Sequence, residues 1–508
     1  MPSNQTPPPS TGRSATPSDP LPPPGALLEQ TPFAWRQVPA GLDLDRLTDI
    51  QWRADACGPG SILCFQRFDD GHSDAALFER YLAGSPFAVL VTNRRMDCFD
   101  ALRDSGKAVF VTEPEAYGDT VARLCDAFYP MPRNHWRIAA VTGTNGKTTT
   151  VKYLETLLTA AGERVLGIGT LGLSLNGEDQ GVTGFTSPPL VELRRVLAAY
   201  RDRADVLVTE ASSHALEQGR LAGLRCDAAG WTNFSLDHLD YHHTEDAYFA
   251  AKARILGQLG DGVPLFVSSA DVASRLRRER PEALIRLLLP ASFPASVLAE
   301  RPFLALAYNQ ANYALALALA ESLDQRIKDR LPVEPWRLLR PVDGRFETYP
   351  HGNRTVVVDF AHTPDALENV LRAIRAAFPN ANVTTVFGCG GDRDRTKRPL
   401  MGATVCRHSD HAIVTSDNPR REDPQVIIDE TLAGMQTCGR EPEAILDRAL
   451  AIRHLFDRLA VAPANEPQVA LIAGKGHERY IDRDGRKTYY SDQDEVARNF
   501  ARLGWGDV

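Results

Sequence analysis

Apolar and polar residues along this chain fall into blocks whose spacing predicts strands and helices in turn. SILCF at 61–65 and FAVLVT at 87–92 are apolar over the length of a buried strand, and DAALFERYLAG between them has the wider spacing of a helix. Residues 26–134 therefore read as a small α/β unit that ends at the proline-rich YPMPRNHW (129–136). A second block, 135–336, opens on RIAAVT (137–142), passes through DVLVTE (205–210) and DAAGWTN (227–233), and closes with the helical NYALALALAESL (312–323). Continuous apolar strands separated by helices have the rhythm of a parallel sheet. In LPVEPWRLLRPVDGRFE (331–347) prolines cluster and neither period survives, so the segment reads as a linker. A third block, 337–508, alternates TVVVDFA, NVTTVFG, HAIVTS and QVALIAG with helical stretches, again a doubly wound α/β pattern. The sequence carries no internal repeat.

Composition narrows the ligands. The 508 residues suffice for several domains with separate cores, and 43% hydrophobic with 24% charged residues is ordinary for a globular chain. A net charge of −8 gives no electrostatic footprint for nucleic acid, so an anionic ligand must be held by local geometry. Eight cysteines, at 57, 64, 98, 125, 226, 389, 406 and 438, include no C-x-x-C pair. They suggest neither a zinc knuckle nor a disulfide framework and fit a reducing cytoplasm. Residues 1–25 hold nine prolines among serines and threonines, with no basic stretch leading into an apolar one, and predict a disordered tail and not a signal peptide. No run approaches the ~20 apolar residues of a membrane span.

The chemistry starts at VTGTNGKTTT (141–150). A strand that enters a glycine turn and then a helix points successive backbone N–H groups and the positive helix end at one place, which suits a phosphate. Gly143 and Gly146 allow close backbone approach, Lys147 has the reach for terminal phosphates, and the Thr148 hydroxyl can ligate Mg²⁺. The spacing, G-x-x-G-K-T, is shorter than the general phosphate-loop motif. Taken alone, the segment also fits a plain glycine turn.

Further stretches follow in order: TEASSHALEQGRLAGLRCDAAGWTNFSLDHLDYHHTEDAYFAAKARIL (209–256), DGRFE (343–347), VDFAHTPDALENVL (358–371), FGCGGDRDRTKRPLMG (387–402), TSDNPRREDP (415–424) and AGKGHERY (473–480). With the shortened loop they resemble the Mur ligase family, in the superfamily shared with folylpolyglutamate synthetases, across residues 138–500. The resemblance implies an α/β fold in the three-domain Mur ligase architecture, with a central P-loop ATPase-like parallel sheet and a C-terminal Rossmann-like domain. It implies ATP held by Gly143, Thr144, Asn145, Gly146, Lys147, Thr148 and Thr149, with Asn309, Asn312, Arg345, Asp359 and His362 on the nucleotide side. It implies Mg²⁺ on Thr148, Glu210, His238 and a carbamylated Lys252, the last three forming the catalytic set with Lys147. Taken singly, Glu210 could be a solvated strand end, His238 a structural histidine and Lys252 an exposed helical lysine.

Thr186, Ser187, Ser212, Gln218 and Arg220 match the family's contacts to a peptidyl acceptor. Arg393, Asp417, Asn418, Pro419, Arg420, Gly474 and Glu478 match its amino-acid contacts. The arginine in Asp-Asn-Pro-Arg resembles the branch that adds meso-diaminopimelate to UDP-N-acetylmuramoyl-L-alanyl-D-glutamate, because a guanidinium can grip the distal carboxylate that lysine lacks. The implied activity is an ATP-dependent acid–amino acid ligase of peptidoglycan precursor synthesis, cytoplasmic and monomeric, with small-molecule substrates and no nucleic-acid or membrane partner. Two stretches depart from the family. LTDIQWRADACGPGSILCFQRFDDGH (47–72) lacks its Asp-Ser-Arg loop, leaving Trp52 as either a stacking ring or a core residue, and VSSADVASRL (267–276) replaces an Asn-x-Asp-Asp segment. A Mur-type paralogue with another carboxylate acceptor and a non-catalytic nucleotide-binding regulator are the alternatives; a folate polyglutamylating enzyme would leave Asp-Asn-Pro-Arg and GKGHE without a role.

Overall fold

A computed structural model describes residues 22–68, 71–130, 135–436, 441–463 and 465–506. The tail expected over residues 1–25 lies outside the described residues as far as position 21. Its end is corrected: Pro24–Gln30 is a helix, with proline in the first turn where a missing N–H breaks no hydrogen bond, and it buries Leu27 and Leu28. The middle of the expected boundary at 129–136, residues 131–134, also lies outside the described residues.

The chain divides into two compact units. One runs to Arg137 and also takes Pro188–Val206 and Gln218–Leu224 from the middle of the sequence. Its sheet orders Trp35–Gln37, Ala108–Val111, Val89–Thr92, Ser61–Phe65 and Asp49–Gln51, parallel except for the first edge strand. Val89–Thr92 is buried at every position, as a central strand covered on both faces must be. Leu190 and Val191, from the helix Leu190–Tyr200, pack into the same core as Ile62 and Phe110. Trp52 packs against that core, which is the second of its two sequence readings.

The other unit comprises Ile138–Ser187, Leu207–Glu217 and Arg225–Val508 and contains two larger sheets. The eight-stranded one places Arg137–Thr142 between Ala228–Trp231 and Val206–Glu210. Beyond Val165–Gly169 it continues into an antiparallel hairpin, Gly172–Leu175 with Glu178–Gly181. The hairpin turns on Asn176 and Gly177, both at positive φ, an Asn-Gly signal inside a stretch too polar to register as strand. The six-stranded sheet runs Glu347–His351, Arg354–Asp359, Gln468–Ala473, Asn382–Phe387, His411–Val414 and Glu443–Ala444, parallel after its first antiparallel pair. Leu306 and partly buried Tyr308, at the start of the helix Ala307–Leu323, pack into the core of this sheet. Cys406 is disulfide-bonded, a bond that the scattered cysteine spacing does not announce. Among the described residues no helix is long and apolar enough to cross a membrane.

One buried ion pair fixes the edge of the six-stranded sheet from which functional loops leave. Arg448 donates to both Asp492 oxygens at 2.8 and 2.7 Å and to the Ala473 carbonyl at 2.9 Å, joining the last strand residue to the helices Arg448–Val461 and Asp492–Leu503. Both side chains are buried, so removing one partner strands a charge without solvent. Asp492→Ala is expected to lower unfolding stability by about 3 kcal/mol, read from the urea midpoint at constant slope.

Candidate active site

Gly143 to Gly146 connect the strand Arg137–Thr142 to the helix Lys147–Ala160. Gly143 has φ +140° and Gly146 φ +84°; a Cβ on the first would collide with the Thr232 hydroxyl, and one on the second would lie 2.6 Å from Asn312 Oδ1. The bare backbone is therefore imposed by its neighbours, and it leaves a cradle at a helix N-terminus. The loop is pinned from outside: Thr144 N donates to the Asn233 carbonyl, Asn145 N to Asn233 Oδ1, and the Thr232 hydroxyl to the Asn145 carbonyl.

Two lysines converge on this loop. Lys147 Nζ donates to the carbonyls of Gly143 (3.1 Å) and Thr144 (2.9 Å). Lys252, from the helix Glu245–Ala253, donates to the same Gly143 carbonyl at 2.7 Å and lies 4.4 Å from the centre of the Tyr248 ring. Lys252 is buried, not the exposed helical residue it would be by default. Burial, and then the neighbouring Lys147, hold its ammonium well below the usual lysine range, and burial also lowers Lys147.

Glu210, the last residue of its strand, is fully buried and not solvated. Its carboxylate accepts from Thr148 Oγ1 at 2.9 Å, from Thr170 N at 2.8 Å and from Thr170 Oγ1 at 3.1 Å. Thr170 Oγ1 is 3.2 Å from Thr186 Oγ1, and Ser187 Oγ donates to the Glu210 carbonyl and lies 3.4 Å from Ser212 Oγ. Thr148, Glu210, Thr186, Ser187 and Ser212 thus form one network. Gln218 and Arg220 belong to the other compact unit, where Arg220 donates to Gln218 Oε1. His238 has φ +55° and faces Asp237, with Nε2 3.5 Å from Oδ2. Among the described residues no three His, Cys, Asp or Glu side chains gather as a metal site. Thr148 Oγ1 and Glu210 Oε1, 2.9 Å apart, are the oxygen donors that Mg²⁺ favours, with room in its shell for water and phosphate oxygens.

Among the residues expected around a nucleotide, Asn312 Oδ1 accepts from Thr150 Oγ1, and Asn312 Nδ2 is 3.5 Å from Asn309 Oδ1. Asp359 ends its strand and accepts from the backbone of Phe346 and Ala361, both at 2.7 Å; burial raises its carboxyl while Arg345 opposes the rise. Arg345 lies over the Phe360 ring at 4.3 Å, and His362 Nδ1 is 2.8 Å from the Phe360 carbonyl.

The residues matched to the family's amino-acid contacts follow the ends of neighbouring strands of the six-stranded sheet. Asn418 donates to Glu478 at 2.8 Å, and buried Lys475 reaches Asn418 Oδ1 (3.2 Å), Glu478 (3.3 Å) and Asp417 (3.6 Å). Arg420, at φ +51°, donates to the Gly391 carbonyl at 2.6 Å, its backbone held by Asp482. A Cβ on Gly390 would lie 3.0 Å from Arg420 Nη1 and 3.8 Å from Arg393 Cγ, so both side chains flank that glycine, and burial and then the Arg420 charge depress Arg393. A Cβ on Gly474 would lie 2.6 Å from Asp417 Oδ2. Lys475, Asp237 and Thr170 were not among the sequence candidates; Lys475 stands inside GKGHE, but an isolated lysine carries no sign of burial.

Comparison with known proteins adds to this geometry. Residues 141–294 match the Mur ligase middle domain, and residues 344–476 the Mur ligase, glutamate ligase domain. A UDP-N-acetylmuramoyl-L-alanyl-D-glutamate–2,6-diaminopimelate ligase of Synechococcus elongatus is 34% identical over 499 residues, covering 93% of this chain and 97% of that protein. The chain belongs to the Mur ligase family. A solved structure of a ligase with that same substrate name is 27% identical, covers 90% of this chain and 95% of the other, and superposes with a TM-score of 0.53. A folylpolyglutamate synthase of Mycobacterium tuberculosis, complexed with ADP and AMPPCP, shares the fold at 17% identity and TM-score 0.54, over 70% of this chain and 92% of that one. The fold is thus the three-domain Mur ligase architecture expected from the sequence.

Two outcomes follow for this Mur ligase. Gly146→Ala forces an unfavourable φ and a contact with Asn312, so nucleotide affinity should fall about 10-fold or more, measured by equilibrium titration. His242, buried with Nε2 2.9 Å from Ser213 Oγ, is pushed down to about 4 by burial, with Lys252 and His243 adding to it. Between that value and the ordinary 6.5, the unfolded chain binds a proton that the native protein refuses, so this part of the stability is lost as pH falls through the window. Urea midpoints at pH 7 and pH 5 should differ in that sense, and by less in His242→Gln.

Proposed function

We propose that the protein is an ATP-dependent ligase that joins meso-diaminopimelate to the D-glutamyl carboxylate of UDP-N-acetylmuramoyl-L-alanyl-D-glutamate. The observation that carries the choice of amine is Arg420, held at positive φ, whose guanidinium flanks Gly390 together with the Arg393 side chain and the Asn418 carbonyl. Guanidinium groups suit the distal carboxylate of a diamino diacid, and Glu478 suits its distal ammonium.

The reaction needs two anions brought together, the acceptor carboxylate and the terminal phosphate of ATP. Lys147 and the N-terminus of the helix Lys147–Ala160 stabilise the charge developing on the transferred phosphoryl group. A carboxylate oxygen attacks the γ-phosphorus, the bond to ADP breaks, and an acyl phosphate results. The uncharged amine of diaminopimelate then attacks the acyl carbon; inorganic phosphate leaves, and the nitrogen gives up a proton. Thr148, Glu210 and His238 would hold Mg²⁺, which neutralises phosphate charge when bound.

Lys252 supports one further step of this reading. Burial and Lys147 favour loss of a proton from the Lys252 ammonium, and the free amine is the form that adds to CO₂, making an N–C bond and releasing a proton. The carbamate so formed is an anion placed beside the Lys147 cation, which relieves the crowding of two lysines on one carbonyl.

Incubation with ATP, Mg²⁺, meso-diaminopimelate and the UDP-muramoyl dipeptide should give a tripeptide product by mass, with ADP release requiring both cosubstrates. ADP formed only with another carboxylate would overturn the acceptor assignment. Arg420→Ala should raise the KM for diaminopimelate about 100-fold and leave that for ATP nearly unchanged, and equal effects on both would count against the role given to Arg420.

A further inference from the structure

The amine-binding loops form one tied block. Arg420 donates to the Gly391 carbonyl; Arg398, fully buried, donates to the Gly390 carbonyl, to Glu422 and to Glu430. Such a block delivers an amine usefully only if it is set accurately against the phosphate loop, because misplacement of about 1 Å can cost ~100-fold in rate.

Lys397 is placed to set it. It opens the helix Lys397–His408, directly after the loop that carries Arg393, and its side chain is 7% exposed. Its ammonium lies 3.6 Å from Oδ1 of Asp237, a residue 9% exposed in its side chain that follows the strand Ala228–Trp231 of the eight-stranded sheet. The same carboxylate accepts the backbone N–H of His238 at 2.9 Å and faces the His362 ring at 4.0 Å. Asp237 also lies within electrostatic reach of Lys147 and Lys252. One carboxylate thus gathers side chains from the segments that the proposed reaction must bring together. A buried ion pair is a poor source of stability compared with packed apolar residues, but it accepts only one geometry.

We propose that Lys397 and Asp237 form a positioning pair that registers the amine-binding block against the phosphate loop; the kinetic part of this proposal rests on the ligase reading above. Neither side chain need touch substrate. The pair acts by fixing where Arg393 and Arg420 stand relative to Lys147.

The test is a double-mutant cycle on the full-length protein with Lys397→Met, Asp237→Asn and their combination, and with Lys397→Arg as the conservative variant. Wild-type turnover with ATP, Mg²⁺, the UDP-muramoyl dipeptide and meso-diaminopimelate is measured first. Lys397→Met should lower kcat/KM for the amine about 100-fold with ATP affinity, read by equilibrium titration, changed less than about 3-fold. Lys397→Arg should recover most of the loss, and the double variant should be no worse than the poorer single one. Effects that multiply in the double variant, an Arg variant as poor as Met, or a Met variant that turns over like wild type would overturn the proposal. If the wild type does not turn over these substrates, the ligase reading fails and the pairing is judged on urea midpoints of the same four proteins. Non-additive midpoints then support the pair, and additive ones overturn it.

Discussion

Two lysine ammonium groups share the carbonyl oxygen of Gly143, and the arrangement of the site follows from the difficulty of that sharing. Like charges so close are tolerated in a buried place only if one of them gives up its proton or an anion arrives between them. The glycine turn supplies backbone N–H groups and a helix end that also attract an anion. Lys147, loop and helix therefore ask for the same kind of ligand, a phosphate, from three directions. The sheet makes this possible by placing the loop at the carboxyl end of a central strand, with Glu210 ending the strand beside it.

The cluster proposed to hold the amine is organised by a different balance. Asp417 and Glu478 are partnered by buried Lys475, whereas the guanidinium groups of Arg393 and Arg420 donate to backbone carbonyls, those of Asp392 and Gly391. Two guanidinium groups there suit a ligand that brings a second carboxylate better than one whose far end is an ammonium alone. The Arg448–Asp492 pair beneath it acts on the backbone, holding the carbonyl of Ala473 just before Gly474.

Much of this was legible in the sequence wherever apolar periodicity or turn chemistry governs. The runs at 61–65, 137–142, 354–359, 382–387 and 468–473 are strands because continuous apolar stretches have no other way to be buried at that length. The glycine turn at 143–146 was visible for the same local reason. The hairpin at 172–181 was not, since its second strand is mostly exposed and polar and depends on pairing with its neighbour. Burial of Lys252, Lys397 and Lys475 could not be read either: a lysine in a helix or loop is usually solvated, and only a partner distant in sequence makes its burial tolerable. Function was legible through motif resemblance; the approach of Asp237 to Lys397, far apart in the sequence, follows only from the fold.

The N-terminal unit closes its core with Leu190 and Val191, which arrive after the entire phosphate-binding segment has been made. During synthesis the unit must wait for that helix, so its folding is interleaved with that of the chain that follows and does not precede it. A gene fragment ending before the strand Arg137–Thr142 would encode a sheet with part of its apolar face open to water, and expression of this region in isolation calls for grafting the helix Leu190–Tyr200 back onto it.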